Sequence, residues 1–391
     1  MTDVVERRPR GGLAAMCISQ ATSWGLLYYS LPVAVVPITE DTGWSAAAIT
    51  AAFSAGLIVS AVFGIWVGKL LDQRGPRRLM VTGSLIGVAA LLLVATAPNL
   101  PVFVAAWLIA GLAQAAVFYQ PAFVVLTRWY GPARVRALTT LTLVAGFASP
   151  IYAPLTALLI ETVGWRSAYL VLACALAVVT IPLHCFFLNA HWTVPSPSQS
   201  RQSVTRDVRA TTRSRRFIML QVAVAAATLA LFAVTFNLIP LLLERGFDYR
   251  TAVLAFSLIG VGQVVGRLFF AVLPGRANPV RRTVLLLAAG ATCLWLLGLL
   301  PGPAFALIGV TVLAGAVRGC VTLLQATAVA DRWGTANFGA VQGVFVAPVT
   351  AVGALAPAAG PLLAGLLGGY PAMALAMAGV ATLGVLAAAR S

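Results

Sequence analysis

Charge is scarce in this chain: 9% of its 391 residues are Asp, Glu, Lys or Arg, and only ten of these are acidic. A water-soluble surface, usually about a quarter to a third charged, is thereby excluded. Histidine is reduced to His184 and His191, both read as structural, and the five cysteines (Cys17, Cys174, Cys185, Cys293, Cys320) keep no metal-ligand spacing. All five fall within apolar runs and read as small packing residues. No paired acids, no nucleophile beside a base and no phosphate-binding glycine loop occur, so neither an enzyme nor a bound cofactor or metal is expected.

What is abundant is apolar. Hydrophobic residues make up 60% of the sequence and the mean hydropathy is +0.95, against an apolar share of about 45–50% in soluble domains. Runs long enough to cross about 30 Å of hydrocarbon follow one another twelve times, at about 13–37, 46–70, 79–97, 102–127, 137–160, 167–188, 217–243, 250–273, 283–300, 303–330, 337–367 and 370–389. The fold class predicted is an all-α membrane protein with twelve transmembrane helices.

The net charge of +16 would suggest nucleic acid in a soluble protein, but no basic patch carries interleaved aromatics. Instead the cations sort by side. With the N-terminus inside, three of the 26 fall in external loops (Arg166, Arg245, Arg250), two lie within helices (Arg267, Arg318), and the other 21 face the cytoplasm. The positive-inside rule then predicts a multi-pass protein of the inner (plasma) membrane with both termini cytoplasmic.

The polar stretch 189–216, rich in Pro, Ser, Thr and Arg, cannot bury a core and reads as a cytoplasmic linker. It separates an N-terminal six-helix half, 1–188, from a C-terminal one, 217–391. The halves look related: at an offset of about 204, Pro76-Arg77-Arg78 matches Val280-Arg281-Arg282, Gly111 matches Gly315, and Arg128-Trp129 matches Arg332-Trp333. Parallel repeats of this kind predict a pseudo-two-fold axis along the membrane normal and a central cavity between halves that rock.

One short loop concentrates charge. In "GKLLDQRGPRR" (68–78), Gly68, Leu70, Asp72, Gly75 and Arg77 occupy the pattern G-x-L-x-D-x-x-G-x-R. This resembles the signature of the major facilitator superfamily, departing from it at Gln73, where that family usually has Arg. The resemblance implies two pseudo-symmetric six-helix halves, alternating access, and a gating latch in which Asp72 pairs with a cation; Arg128 is the partner expected. The other reading is that Lys69, Arg74, Arg77 and Arg78 merely obey the positive-inside rule.

Within the superfamily, "GWS" (43–45), the stretch 128–150 and "GQVVGRLFFAVL" (262–273) are similar to the monocarboxylate and oxalate/formate porters. Those porters use an arginine of the eighth span on the substrate anion, which implies such a role for Arg267, with Gln263 one turn earlier where proton-coupled members commonly carry Asp. Snorkelling to the interface is the alternative for Arg267.

Arg318 is singled out by the residues themselves. It stands midway along the tenth span, on a face that also carries Thr311, Gly315, Thr322 and Gln325, and a buried ionisable group is costly unless paired or hydrated. Its guanidinium fork matches a carboxylate; a structural arginine bonded to neighbouring carbonyls is the other reading. All ten carboxylates fall in loops or at span ends, so the buried charges are positive and a small organic anion is the expected solute. Tyr28, Gln114, Tyr119 and Asn237 are further candidate substrate contacts, each equally able to serve an interhelical hydrogen bond. The function expected is an alternating-access carrier of a mono- or dicarboxylate, acting as a monomer, with a coupled ion or counter-substrate left open. The alternative is an efflux carrier for amphipathic, drug-like compounds.

Overall fold

The computed structural model describes residues 9–189, 192, 208–272, 278–334 and 338–391; His191, Arg201 and Arg206 lie outside them. The apolar runs form helices α1 (Gly12–Thr42), α2 (Ala46–Arg74), α3 (Pro76–Thr96) and α4 (Leu100–Tyr130), then an apolar helical stretch Arg134–Phe187, then α7 (Arg215–Phe236, extended by Leu238–Glu244). The chain ends with α8 (Tyr249–Val272), α9 (Pro279–Leu299), α10 (Ala304–Trp333), α11 (Phe338–Leu367) and α12 (Tyr370–Ala388). Starts are set by side-chain caps: Ser45, Asn99, Ser214 and Asn278 each accept from a backbone N–H of the first turn.

Eleven of the described helical stretches are long and apolar enough to span a membrane. One of them, Arg134–Phe187, is 54 residues long and is interrupted at Gly164 (φ 77°, ψ 160°), a conformation that only glycine adopts without a Cβ penalty. It therefore holds two spans, α5 (134–163) and α6 (165–187), and twelve result. Several spans are less regular than the sequence suggests: α1 contains one wide turn at Gly25–Tyr29, α4 breaks at Phe118, and α7 breaks at Asn237.

Contacts cluster into two compact units, Met1–Pro195 and Ser196–Ser391. In the first, α2 and α3 both pack on α4, and α1 packs on the α5–α6 stretch; in the second, α8 and α9 pack on α10, and α7 on α11 and α12. The same glycines enable both central contacts. A Cβ placed on Gly111 of α4 would lie 2.1 Å from the Gly56 carbonyl of α2, and one on Gly315 of α10 would lie 2.4 Å from the Ile259 carbonyl of α8. Backbone touches backbone there, which positions α8 and α10 for what they carry.

Candidate functional site

In the second unit, Arg318 is 4% exposed and Arg267 is 3% exposed, whereas no Asp or Glu among the described residues is buried. Arg318 donates from Nη1 to Thr235 Oγ1 on α7 at 3.0 Å, and its guanidinium lies 3.7 Å from the centre of the Phe232 ring. A guanidinium has five N–H donors, so one hydroxyl and one aromatic face leave it with donors to spare, and no carbonyl of a neighbouring helix holds it among the described residues. Arg267 Nη2 reaches Gln263 Oε1 at 3.4 Å, one turn back on α8. On the Arg318 face, Gln325 donates to Thr228 Oγ1 and accepts on its backbone carbonyl from Gln342 Nε2.

In the first unit the irregular turns of α1 and α4 face each other. Trp24 stacks on Phe118 (4.1 Å between ring centres), with Tyr28 and Tyr119 at 5.3 and 5.0 Å from it. Gln114 Nε2 of α4 donates to the Leu27 carbonyl inside the wide turn of α1 at 2.9 Å, while its buried Oε1 has no partner. In return Gln20 of α1 donates to the Val117 carbonyl. The cause lies in the sequence. Pro121 has no N–H to offer the carbonyl four residues earlier, which is that of Val117, and the α1 glutamine supplies the missing donor.

The same device recurs in the second unit. Pro348 deprives Val344 of its helical donor, and Gln221 of α7 donates to that carbonyl at 2.7 Å. Pro361 deprives Pro357, and Asn237 Nδ2 approaches it at 3.4 Å while also donating to Ala233. Asn237 thus spends its amide N–H groups on backbone, with Gly360 packed so closely that a Cβ there would sit 2.1 Å from Nδ2. Sequence reasoning missed Gln221, although a search for an amide opposite the residue four before a proline would have found its carbonyl.

At the charged loop, Arg128 Nη2 donates to Asp72 Oδ1 at 2.5 Å. Gly75 (φ 72°) ends α2, and Pro76 opens α3 directly after it. Gly68 has open space where a Cβ would stand, so no close helix approach depends on it.

Over residues 16–356 the sequence matches the profile of the Major Facilitator Superfamily. The chain belongs to that family. Major facilitators are multi-pass membrane transporters of small molecules. Human monocarboxylate transporter 11 is 27% identical over 285 residues, which are 71% of this chain; the chain spans only 58% of that relative's length. Among solved structures, the nucleoside transporter NupG superposes with a TM-score of 0.76 at 14% identity, covering 96% of this chain and 98% of NupG. A bacterial homologue of the human lysosomal transporter Spinster, inward-facing and unoccupied, superposes with a TM-score of 0.71 at 13% identity, covering 100% and 98%. Both likenesses concern the fold.

Two features of this major facilitator were not legible beforehand. Trp192, in the stretch read as a featureless linker, donates from Nε1 to the Asp72 carbonyl at 3.1 Å and lays its ring 4.4 Å from the Arg128 guanidinium. The second unit carries its own ion pair, Arg282 to Asp331, which is not the repeat of the first: Asp331 adjoins Arg332, the match of Arg128, but its partner stands on α9, the counterpart of α3 and not of α2. Arginines also secure the opposite end. Arg166 donates to the Ala95 and Ala97 carbonyls at the end of α3, and Arg245 to those of Leu297, Gly298 and Leu300 at the end of α9. Both satisfy helix C-terminal carbonyls. Burial lowers the Arg245 pKa, with the charge of Glu244 opposing.

Proposed function

We propose that this major facilitator carries a small organic anion, a mono- or dicarboxylate, across the inner membrane by alternating access, with both termini in the cytoplasm. The observation that carries the reading is the pair of buried guanidiniums, Arg318 and Arg267, in a protein whose described residues include no buried carboxylate. Such charges are costly in a low-dielectric interior unless a counter-charge arrives, and a carboxylate fits the guanidinium fork in bidentate fashion. The name of the human relative, a monocarboxylate transporter, agrees with this chemistry.

In this reading Arg318 is the primary anion contact, since a hydroxyl and a ring leave its remaining donors available, and Arg267 with Gln263 supplies the second cation. Gln325 belongs to the same site in the second unit, Tyr28, Tyr119 and the free oxygen of Gln114 offer polar groups in the first, and the Asn237 amide serves α11. The Asp72–Arg128 pair, clasped by Trp192, acts as the latch of the Gly68–Arg77 signature loop. With no buried acid among the described residues to relay a proton, coupling proceeds through the substrate, bound water, Asp72 or exchange for a counter-substrate.

A second reading, efflux of amphipathic compounds, rests on the Trp24, Tyr28, Phe118 and Tyr119 cluster. Counterflow into proteoliposomes, run with mono- and dicarboxylates and with lipophilic cations, separates the two. Acids should be carried, Arg318→Ala should abolish their transport, and Arg318→Lys should keep the charge but lose the fork and most of the rate. Transport of cations with acids ignored, or full activity in Arg318→Ala, would overturn the anion assignment.

A further inference from the structure

A second place in the first unit is built to hold something. Helices α2 and α3 both lean on α4 but diverge from each other, leaving a groove of about 880 Å³. Its apolar part is formed by Phe63, Val67 and Leu70 of α2 and by Ile86 of α3, over a floor of Leu112 and Ala116 from α4. Its lip carries three arginines, Arg74, Arg77 and Arg78. No carboxylate lines it. All three arginines are exposed, and none donates a hydrogen bond or forms an ion pair among the described residues, whereas the nearby Arg128 is taken by Asp72.

The dimensions are those of one leaflet. From Phe63 to Arg74 is eleven residues, or about 16 Å of helix rise, and half of the hydrocarbon thickness is about 15 Å. The groove runs between two membrane-spanning helices, and its polarity runs from basic at the helix ends to apolar within. A soluble anion would use only the lip. A molecule with a phosphate head and a hydrocarbon chain uses the whole length, and clusters of arginine at a membrane edge attract acidic headgroups.

We infer that the α2–α3–α4 groove is a binding site for an acidic phospholipid, with the phosphate held by Arg74, Arg77 and Arg78 and one acyl chain lying along Phe63, Val67, Leu70 and Ile86. Under the positive-inside orientation this is a lipid of the cytoplasmic leaflet. The site adjoins the signature loop, so an occupant bears on α2, the helix that carries Asp72.

Native mass spectrometry of the full chain, released from micelles holding equal amounts of phosphatidylglycerol and phosphatidylcholine, tests the inference. Phosphatidylglycerol should be retained in preference. Retention should fall about thirtyfold in Arg74→Gln/Arg78→Gln, and should fall also in Thr82→Trp, which fills the groove from an exposed lining position while keeping every charge. Arg281→Gln, an exposed arginine away from the groove, should retain the lipid as the parent does. The inference is overturned by equal retention of the two lipids, by undiminished retention in both groove variants, or by full displacement with glycerol phosphate at equal concentration, which would mark a headgroup-only site.

Discussion

Replacing Gly315 by Ala tests the packing that brings the two arginine-bearing helices together. An ideal Cβ at this position lies 2.4 Å from the Ile259 carbonyl oxygen, where ordinary contact begins near 3.4 Å. The obstacle is backbone, so no rotamer change relieves it, and α8 and α10 must separate by about 1 Å. A gap of that size forfeits a quarter to a half of the dispersion attraction along the seam. Overpacking against an unyielding neighbour costs about 3 kcal/mol, at the upper end of the usual range, which corresponds to a melting shift of about 6–12 °C for a unit of this size. Gly315 lies one turn from Arg318, and Ile259 lies one and two turns from Gln263 and Arg267, so the displacement also moves both guanidiniums. The control is on the same helix: Gly309 has nothing within 4 Å of its would-be Cβ. Thermal unfolding in detergent, followed by intrinsic fluorescence, and counterflow in liposomes should both show losses for Gly315→Ala and none for Gly309→Ala. Equal melting temperatures for the two variants would refute the reasoning.

Two further tests address the ends of the helices. For the Asp72–Arg128 pair, side-chain exposures of 46% and 25% place it near the surface, so a double-mutant cycle of Asp72→Asn and Arg128→Gln should give a coupling of about 0.5–1 kcal/mol; strictly additive effects would mean that the pair contributes nothing. Arg245→Ala should leave the Leu297, Gly298 and Leu300 carbonyls without their charged donor, costing about 2 kcal/mol locally, and hydrogen exchange should accelerate in peptides covering 296–300, while the end of α3, served by Arg166, stays protected.

Most of the architecture was legible in the sequence because each level of it leaves a strong imprint. A span needs some twenty apolar residues, and a duplicated half repeats its glycines and arginines at a constant offset. Gly111 and Gly315 were matched by that offset alone, and each meets backbone of a neighbouring helix. The irregularities were harder to read. Trp192 sits in a polar stretch whose composition argues against packing, yet one indole is enough to cover a guanidinium and reach a carbonyl. Arg282 and Asp331 are 49 positions apart and follow no motif, since their partnership arises from the α9–α10 contact. Asn237 was legible only as an amide that serves either a solute or a neighbouring helix; the proline four residues beyond the Pro357 carbonyl marks the backbone acceptor that its Nδ2 approaches.

The amide side chains that serve proline-deprived carbonyls have a mechanical consequence. On α7, Gln221 and Asn237 are sixteen residues apart, about 24 Å along the axis, and their acceptors on α11, Val344 and Pro357, are about 20 Å apart. Two rivets at that spacing prevent α11 from sliding or twisting against α7, since a shift of a single turn would strand both carbonyls in hydrocarbon at once. Whatever motion the protein performs, α7 and α11 must travel as one plank, and flexing has to be found at joints other than the seam between them.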